Sequence, residues 1–154
     1  MLRLTKKTEY ALLALQHIAL SNGTLVSAKE ISDSHGISFE LLAKVLGLLS
    51  KSKIIRSVQG VQGGYILQEK PESITLDKVI RSIEGNSTNI VECSHNHNDN
   101  IESTCACQTV NHCTIRHPML IIQQKMDELF TSITIKDFLL NTSQIQSYEV
   151  ELLF

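Results

Sequence analysis

The sequence predicts a mostly α-helical protein with a small β wing, in which a winged helix-turn-helix domain precedes a long dimerisation helix. Three observations lead to this prediction. Gly36 separates two short helical patterns, a glycine-rich hairpin pattern follows at once, and apolar residues repeat at 3-4-3-4 spacing over residues 119–133. We expect a winged helix-turn-helix domain, a cysteine-rich loop, a dimerisation helix with a following short helix, and a tail, at residues 1–85, 86–117, 118–140 and 141–154.

The first helix is predicted over residues 5–21. Side chains there recur at i, i+3 and i+4 spacing, which places them on one buried helical face. They are Tyr10, Leu13, Ala14, His17 and Ile18. His17 is therefore expected to be a packed residue rather than a metal ligand. The Asn22-Gly23 pair ends the helix.

The helix-turn-helix is predicted over residues 27–51. Ser27 can cap a helix at Ala28–His35, and Glu30 at the third position completes a capping box. After the turn at Gly36, Ser38 can cap a second helix of about thirteen residues. This helix, Phe39–Lys51, is expected to bury its apolar positions Phe39, Leu42, Val45, Leu46 and Leu49.

The opposite face of that second helix carries polar or small residues, namely Glu40, Ala43, Lys44, Gly47 and Lys51. A helix that enters the major groove of DNA needs such a face, although an ordinary solvated face has the same composition. The charge distribution also favours DNA binding by the N-terminal half of the chain. Residues 1–70 carry a formal charge of +4, whereas residues 71–154 carry −6, within a net charge of −2.

A hairpin is predicted directly after the helix-turn-helix. A β-branched run at residues 54–58 and a second short strand at 65–68 flank a turn with three glycines. The glycines let the tip of this wing lie close to a phosphate backbone, and Gly64 is expected to need a positive φ. The predicted DNA-binding residues are Ser27, Ser38, Glu40, Ala43, Lys44, Arg56, Gln59, Gly60, Gln62, Gly63 and Gly64.

Two further helices are predicted after Pro71. One spans residues 75–84, with Thr75 as its cap and Gly85 as its end. Pro118 suits the first turn of the other. Apolar residues at Met119, Ile122, Met126, Leu129 and Ile133 then form a coiled-coil seam, which suits either a homodimer or a helix that faces the core. A last short helix begins near Thr134.

All four cysteines lie between Cys93 and Cys113, in a stretch that also contains His95, His97 and His112. Soft ligands this concentrated indicate a metal or redox site. The loop alone leaves three alternatives open: iron–sulfur ligation, free or redox thiols, or a four-coordinate zinc site. The zinc ligands would be Cys105, Cys107, His112 and Cys113.

Several classes of protein are not expected. The sequence has no nucleophile elbow, phosphate-binding glycine loop or HExxH motif, so we expect no enzyme. It has no apolar run of about 18 residues and no signal-peptide pattern, so we expect a cytoplasmic protein without membrane contact.

The chain resembles the Rrf-two family of winged-helix transcription regulators, typified by IscR and NsrR, over about residues 1–140. The similarity lies in the run Arg3–Ala11, in Glu30-Ile31-Ser32 with Gly36-Ile37-Ser38, in Gly63-Gly64-Tyr65, and in a cysteine loop before a long helix. The resemblance implies a homodimer that binds a palindromic operator in double-stranded DNA. It also implies that three loop cysteines hold an iron–sulfur cluster.

The fourth cluster ligand differs among members of that family. In some it is a His shortly after the third cysteine; in others it is an acidic residue in the first helix of the partner subunit. Glu9 occupies the second of these positions here. Arg116 occupies the first, and it cannot ligate because it remains cationic. The resemblance therefore favours Glu9, with His117, one residue further on, as an alternative.

The cysteine spacing departs from the family pattern C-x₅-C-x₅-C. Cys107 and Cys113 keep the second interval, but 13 residues separate Cys93 from Cys107, and Cys105 is an extra thiol. By the resemblance, the thiolate ligands are Cys93, Cys107 and Cys113, with Cys105 as an alternative. Gln59 also stands where IscR-like proteins have an Arg in the wing.

These observations predict a dimeric transcription regulator, a repressor, whose operator binding is controlled by a 2Fe–2S or 4Fe–4S cluster that senses nitric oxide, redox state or iron–sulfur supply. One alternative is a cluster-free regulator of the same fold, with a thiol switch or a small-molecule or protein partner. The other is a zinc-stabilised interaction module that does not bind DNA.

Overall fold

The computed structural model describes residues 4–85 and 113–139. Its elements are, in chain order, α1 (Lys6–Leu20), α2 (Ala28–His35), α3 (Phe39–Lys51), β1 (Ile55–Val58), β2 (Gly64–Leu67), a 3₁₀ helix (Pro71–Ser73), α4 (Leu76–Glu84), α5 (Arg116–Ser132) and a second 3₁₀ helix (Ile135–Leu139). The predicted mostly helical fold with a small wing is confirmed. The predicted tail and most of the predicted cysteine loop lie outside the described residues.

Side-chain caps explain where three of these helices begin. The hydroxyls of Thr5, Ser27 and Thr75 accept hydrogen bonds from backbone N–H groups three residues later, at 3.4, 3.1 and 3.2 Å. Ser38 occupies the N-cap position of α3 but makes no such bond, so the predicted capping by its side chain is wrong. Gly36 ends α2 in the left-handed conformation, with φ of 62°.

The core surrounds α1, which packs against α2, α3, α4, β2 and the second 3₁₀ helix. Branched aliphatic side chains fill it, and their burial provides the main driving force for folding. The largest fully buried side chains include Leu15, Ile18, Leu42, Leu46, Leu49, Ile54, Ile74, Ile80 and Ile135. One prediction about the core is wrong. Phe39 is 55% exposed, because the first turn of α3 precedes the contacts that Leu42 and Val45 make with the core.

Helices α4 and α5 lie side by side in opposite directions. A bridge joins Thr75 to Thr134, and Arg81 lies 3.9 Å from Asp127. At about 1.5 Å per residue, α5 is roughly 25 Å long and α4 roughly 13 Å, so the first half of α5 extends past the end of α4. Two residues of the predicted coiled-coil seam are exposed. Ile122, in the first half of α5, is 46% exposed, and Leu129, in the second half, is 53% exposed.

A buried polar contact joins the beginning of α1 to the end of α4. The Thr8 side chain is fully buried, and its hydroxyl donates a 2.5 Å hydrogen bond to the Glu84 carboxylate. The Thr5 hydroxyl donates to the same oxygen. Burial acts to raise the pKa of Glu84, but these hydrogen bonds outweigh it and hold the pKa below its ordinary value. Glu84 therefore stays ionised and keeps the two helices together.

We expect Thr8→Val to reduce the free energy of unfolding by about 1–2 kcal/mol, because it removes a buried hydrogen bond to a charged group while conserving side-chain shape. Urea unfolding followed by circular dichroism measures the change. Thr131→Val is the matched control, since Thr131 is exposed and its hydroxyl donates to the Asp127 carbonyl of its own helix. Equal losses in the two variants would contradict a stabilising role for the Thr8–Glu84 contact.

Candidate DNA-binding surface and metal site

The solvent-facing side of α3 is the first part of the candidate DNA-binding surface. Glu40, Lys44, Gly47 and Lys51 are exposed on it, while Ala43 is half-buried. The opposite side is anchored in the core by buried leucines and valine. The structure therefore leaves free the helix face that the sequence predicts to enter a major groove. Ser38, at the start of α3, is exposed as well.

Two apolar side chains on this side of the molecule were missed by the sequence reasoning. Phe39, in the first turn of α3, is 55% exposed, and Val61, at the tip of the wing, is fully exposed. Single exposed apolar side chains are common on protein surfaces, but covering them with a partner removes apolar area from water and favours binding. Apolar side chains in these positions can contact thymine methyl groups or the sugar faces of a groove. The sequence contains a signal for the exposed Val61, because it is an apolar residue within a glycine-rich turn.

The wing is an antiparallel pair in which Ile55 lies opposite Leu67 and Val58 lies opposite Gly64. Gly60 has φ of 136°, a conformation that favours glycine. The prediction that Gly64 needs a positive φ is wrong. Gly64 is required by space instead, because a Cβ there would lie 2.7 Å from the backbone oxygen of Val26.

The wing is tied to the start of α2. The backbone N–H of Val26 donates to the carbonyl of Tyr65 at 3.1 Å, and the N–H of Tyr65 donates to the carbonyl of Val26 at 2.8 Å. Ser27 caps α2 immediately after this pair. A cleft of about 420 Å³ results, with Ser27 on one wall and Gln59, Gly60, Gly63 and Gly64 on the other. The structure thus brings five predicted DNA-binding residues to one cleft, while Arg56 and Gln62 are exposed elsewhere on the wing segment.

A cluster of histidines joins α1 to the helix-turn-helix. Nδ1 of His17 lies 3.2 Å from Nε2 of His35, and the other nitrogen of His17 lies 3.6 Å from the Glu30 carboxylate. Burial, and then the proximity of His17, lower the pKa of His35 below its ordinary value. His17 is packed between helices, as the sequence predicts. This contact connects α1 to both ends of α2.

The predicted metal ligands are placed only in part. Cys113 is half-buried just before α5 and forms no disulfide with a described residue, and His117 is exposed in the first turn of α5. Glu9 lies in the first turn of α1, where its carboxylate is 2.5 Å from the Lys6 ammonium. Residues 4–85 and 113–139 contain no group of three metal-binding side chains brought together within one chain. Cys93, Cys105 and Cys107 lie outside the described residues.

Arg116 adds a charge next to Cys113. Its backbone N–H donates to the carbonyl of Cys113 at 3.4 Å, and its Nε is buried without a hydrogen-bond partner among the described residues. A buried donor on a cation is costly when it has no acceptor. The surroundings of the Arg116 Nε are therefore suited to an acceptor or anionic group.

The fold and the candidate DNA-binding surface together define a winged-helix transcription regulator that binds DNA. A family model described as Rrf2, iron-dependent transcriptional regulator, matches residues 4–141. The chain belongs to the Rrf2 family. The family consists of transcription regulators and not of enzymes, as the sequence predicts.

Individual relatives agree with this assignment. The chain is 30% identical to the HTH-type transcriptional regulator NsrR of Bacillus licheniformis, over 94% of this chain and 97% of that one. The solved structure of IscR from T. potens is 26% identical with a TM-score of 0.65, and the match covers 90% of this chain and 86% of that one. CymR, the global cysteine regulator of B. subtilis, is similar in fold, with 24% identity, a TM-score of 0.67 and coverage of 90% and 97%.

No helix within the described ranges combines the length and the apolar character that crossing a bilayer requires.

We expect Gly64→Ala to destabilise the wing, because the new methyl group would press on the backbone of Val26. The expected loss is about 1–3 kcal/mol of unfolding free energy, together with faster hydrogen exchange of the Tyr65 amide. Ser57→Ala is the control, since Ser57 is exposed in the partner strand. If the Tyr65 amide exchanges as slowly in Gly64→Ala as in the unchanged protein, the close contact with Val26 does not require a glycine at position 64.

The histidine contact predicts a dependence of stability on pH. Because the pKa of His35 is lowered on folding, the folded state resists protonation of this side chain. Its contribution to stability is complete above the ordinary histidine pKa of about 6.5 and is lost as the pH falls through the lower folded-state value. His35→Gln should make the unfolding free energy fall less between about pH 7.5 and pH 5.5. Thr131→Val, which replaces an exposed side chain without removing a titratable group, should leave that fall unchanged.

Proposed function

We propose that this regulator is a homodimeric repressor whose binding to a palindromic operator is controlled by an iron–sulfur cluster of the 2Fe–2S or 4Fe–4S type. The observation that carries the proposal is the position of Cys113 directly before α5, a helix that exposes apolar side chains and whose Arg116 has a buried Nε without a hydrogen-bond partner among the described residues. The match to a family model described as iron-dependent supports the iron in this proposal.

The dimer is supported by the surface of α5. Ile115, Ile121, Ile122 and Leu129 are each more than 40% exposed along this helix. Covering such a row of apolar side chains with a second copy removes it from water, which favours association. Two copies related by a twofold axis would present two α3 helices, and such an arrangement fits a palindromic site.

The ligand set of the proposal is Cys93, Cys107, Cys113 and Glu9, with Cys105 and His117 as alternatives. Thiolates suit iron–sulfur clusters, and a carboxylate is a harder and more exchangeable ligand among them. The charge on Arg116 would favour the anionic state of a thiolate-ligated group beside it. When bound, the cluster would supply an oxidant-, nitric oxide- or iron-sensitive group at the junction of the loop and α5.

Glu9 belongs to the partner subunit in this proposal, and the arrangement of α1, α4 and α5 supports that assignment. The Thr8–Glu84 contact places the first turn of α1 beside the end of α4. Arg81 lies opposite Asp127, so the end of α4 lies near residue 124 of α5. From there to the start of α5 at Arg116 is roughly 12 Å along the helix axis, and Cys113 lies three residues before that start. This separation supports a ligand from the partner subunit rather than from the same chain.

Control of DNA binding would act through α1. Glu9 lies near its beginning, and His17, two turns later, contacts α2 of the helix-turn-helix. A ligand shifts DNA affinity only when it binds the DNA-competent and incompetent dimers with different affinity. Tying Glu9 of one subunit to the loop of the other would fix the orientation of the two helix-turn-helix units and so provide that difference.

A thiol switch without a cluster is the second candidate. The observation that favours it is the fourth cysteine, Cys105, two residues before Cys107, together with the similarity in fold to CymR, the global cysteine regulator. In that case zinc or no metal would occupy the loop. The two candidates differ in colour, because only a cluster gives strong visible absorption.

Anaerobically purified protein is therefore expected to absorb visible light, and single Cys→Ala variants assign the ligands. Cys93→Ala, Cys107→Ala and Cys113→Ala should each lose the absorption and the bound iron, whereas Cys105→Ala should keep both. Size-exclusion chromatography of each variant verifies that the dimer remains. A colourless, iron-free wild type after anaerobic reconstitution with iron and sulfide would reject the cluster. Loss of colour in Cys105→Ala but not in Cys93→Ala would reassign the ligands.

A further inference from the structure

Gly47 lies in the middle of α3, on its exposed face, where neither the backbone nor the packing of the described chain requires a glycine. Gly47 does not have a positive φ, so its backbone conformation is one that other residues adopt freely. A Cβ built on it meets no atom within 4 Å. The contrast with Gly64 is direct, since a Cβ there would press on the backbone of Val26.

A glycine in a helix interior is unfavourable, because it loses more conformational freedom on folding than alanine and exposes the backbone to water. Among the described residues, Gly47 therefore weakens α3 without a structural return. Its role is then sought in a partner that approaches α3 at this point.

The neighbours of Gly47 on the same face identify that partner. Lys44 lies three residues before it and Lys51 four residues after it, and both side chains are exposed. Helical spacing places these two lysines on either side of Gly47, one turn away in each direction. Two cations on either side of a bare stretch of helix backbone complement the negative charge of duplex DNA.

We propose that Gly47 is the point at which the backbone of α3 comes closest to bound DNA, and that its missing side chain lets Lys44 and Lys51 reach the duplex together. A side chain at position 47 would hold the helix away from the groove by its own length and lengthen both lysine contacts. Gly47 is thus a positioning residue for DNA binding. The inference rests on DNA binding by the helix-turn-helix and not on any metal in the cysteine loop.

The test compares Gly47→Ala and Gly47→Gln with the unchanged protein. The DNA probe is a duplex that the unchanged protein selects from a random-sequence pool, and dissociation constants are measured by fluorescence anisotropy at one salt concentration. The same proteins are unfolded in urea. Thr131→Ala, an exposed replacement in α5 that also favours helix formation, is the matched control.

We expect stability and affinity to change in opposite directions. Gly47→Ala should raise the urea midpoint, because alanine is the better helix former, and should weaken DNA binding by on the order of fivefold. Gly47→Gln should weaken binding by on the order of fiftyfold or more, since a longer side chain separates the surfaces further. Thr131→Ala should raise the midpoint and leave the affinity unchanged.

Affinity within about twofold of the unchanged protein in both Gly47 variants would overturn the proposal, whatever their stability. A lower urea midpoint in Gly47→Ala would also overturn it, because the glycine would then be required by the chain itself. Neither result would bear on the cluster, whose absorption is measured separately in the same preparations.

Discussion

The contact between the Thr8 hydroxyl and the Glu84 carboxylate holds the first turn of α1 against the last turn of α4. Much of the arrangement depends on it, because α1 packs against the helix-turn-helix, the wing and the C-terminal 3₁₀ helix. Glu84 lies at the end of α4 and is followed by Gly85, so this one contact positions the end of α4 relative to the turn that carries Glu9. A half-buried carboxylate that accepts two hydroxyl hydrogen bonds fixes an orientation that apolar packing alone would leave less specific.

From that contact, α1 extends towards the DNA-binding surface. His17 meets His35 and Glu30 of α2, and α2 starts at Ser27, next to the backbone pair that joins Val26 to the wing. The recognition helix and the wing are therefore both supported by elements that contact α1. In the proposed regulator, a ligand that acts on the first turn of α1 would change the orientation of one connected unit rather than of separate loops. In the proposed dimer, a second copy would cover the exposed face of α5 that extends past α4.

Local pattern predicted most of the elements but not the contacts between distant segments. The bounds of α2 and α3 agree with the prediction, because the Ser27 cap of α2, Gly36 and the apolar spacing are encoded within a few residues. Phe39 was assigned to the core because its spacing fits the buried face, yet the helix projects beyond the core at that end. Gly64 was identified as essential for the wrong reason, since the carbonyl of Val26 lies 38 positions earlier in the chain. The Thr8–Glu84 contact, 76 residues apart, and the buried Gln123 gave no local signal.

The central claim is that Glu9 completes a metal site in the other subunit, and mixed dimers test it most directly. One subunit carries Glu9→Ala and the other Cys113→Ala, with different affinity tags that allow the mixed dimer to be isolated. If the site is shared between subunits, one of the two sites contains every ligand. The mixed dimer should then hold one cluster that resists a chelator as well as the cluster of the unchanged protein, while the Glu9→Ala homodimer loses its clusters faster. A mixed dimer whose cluster is as labile as that of the Glu9→Ala homodimer would contradict the account, and so would a Glu9→Ala homodimer as stable as the unchanged protein.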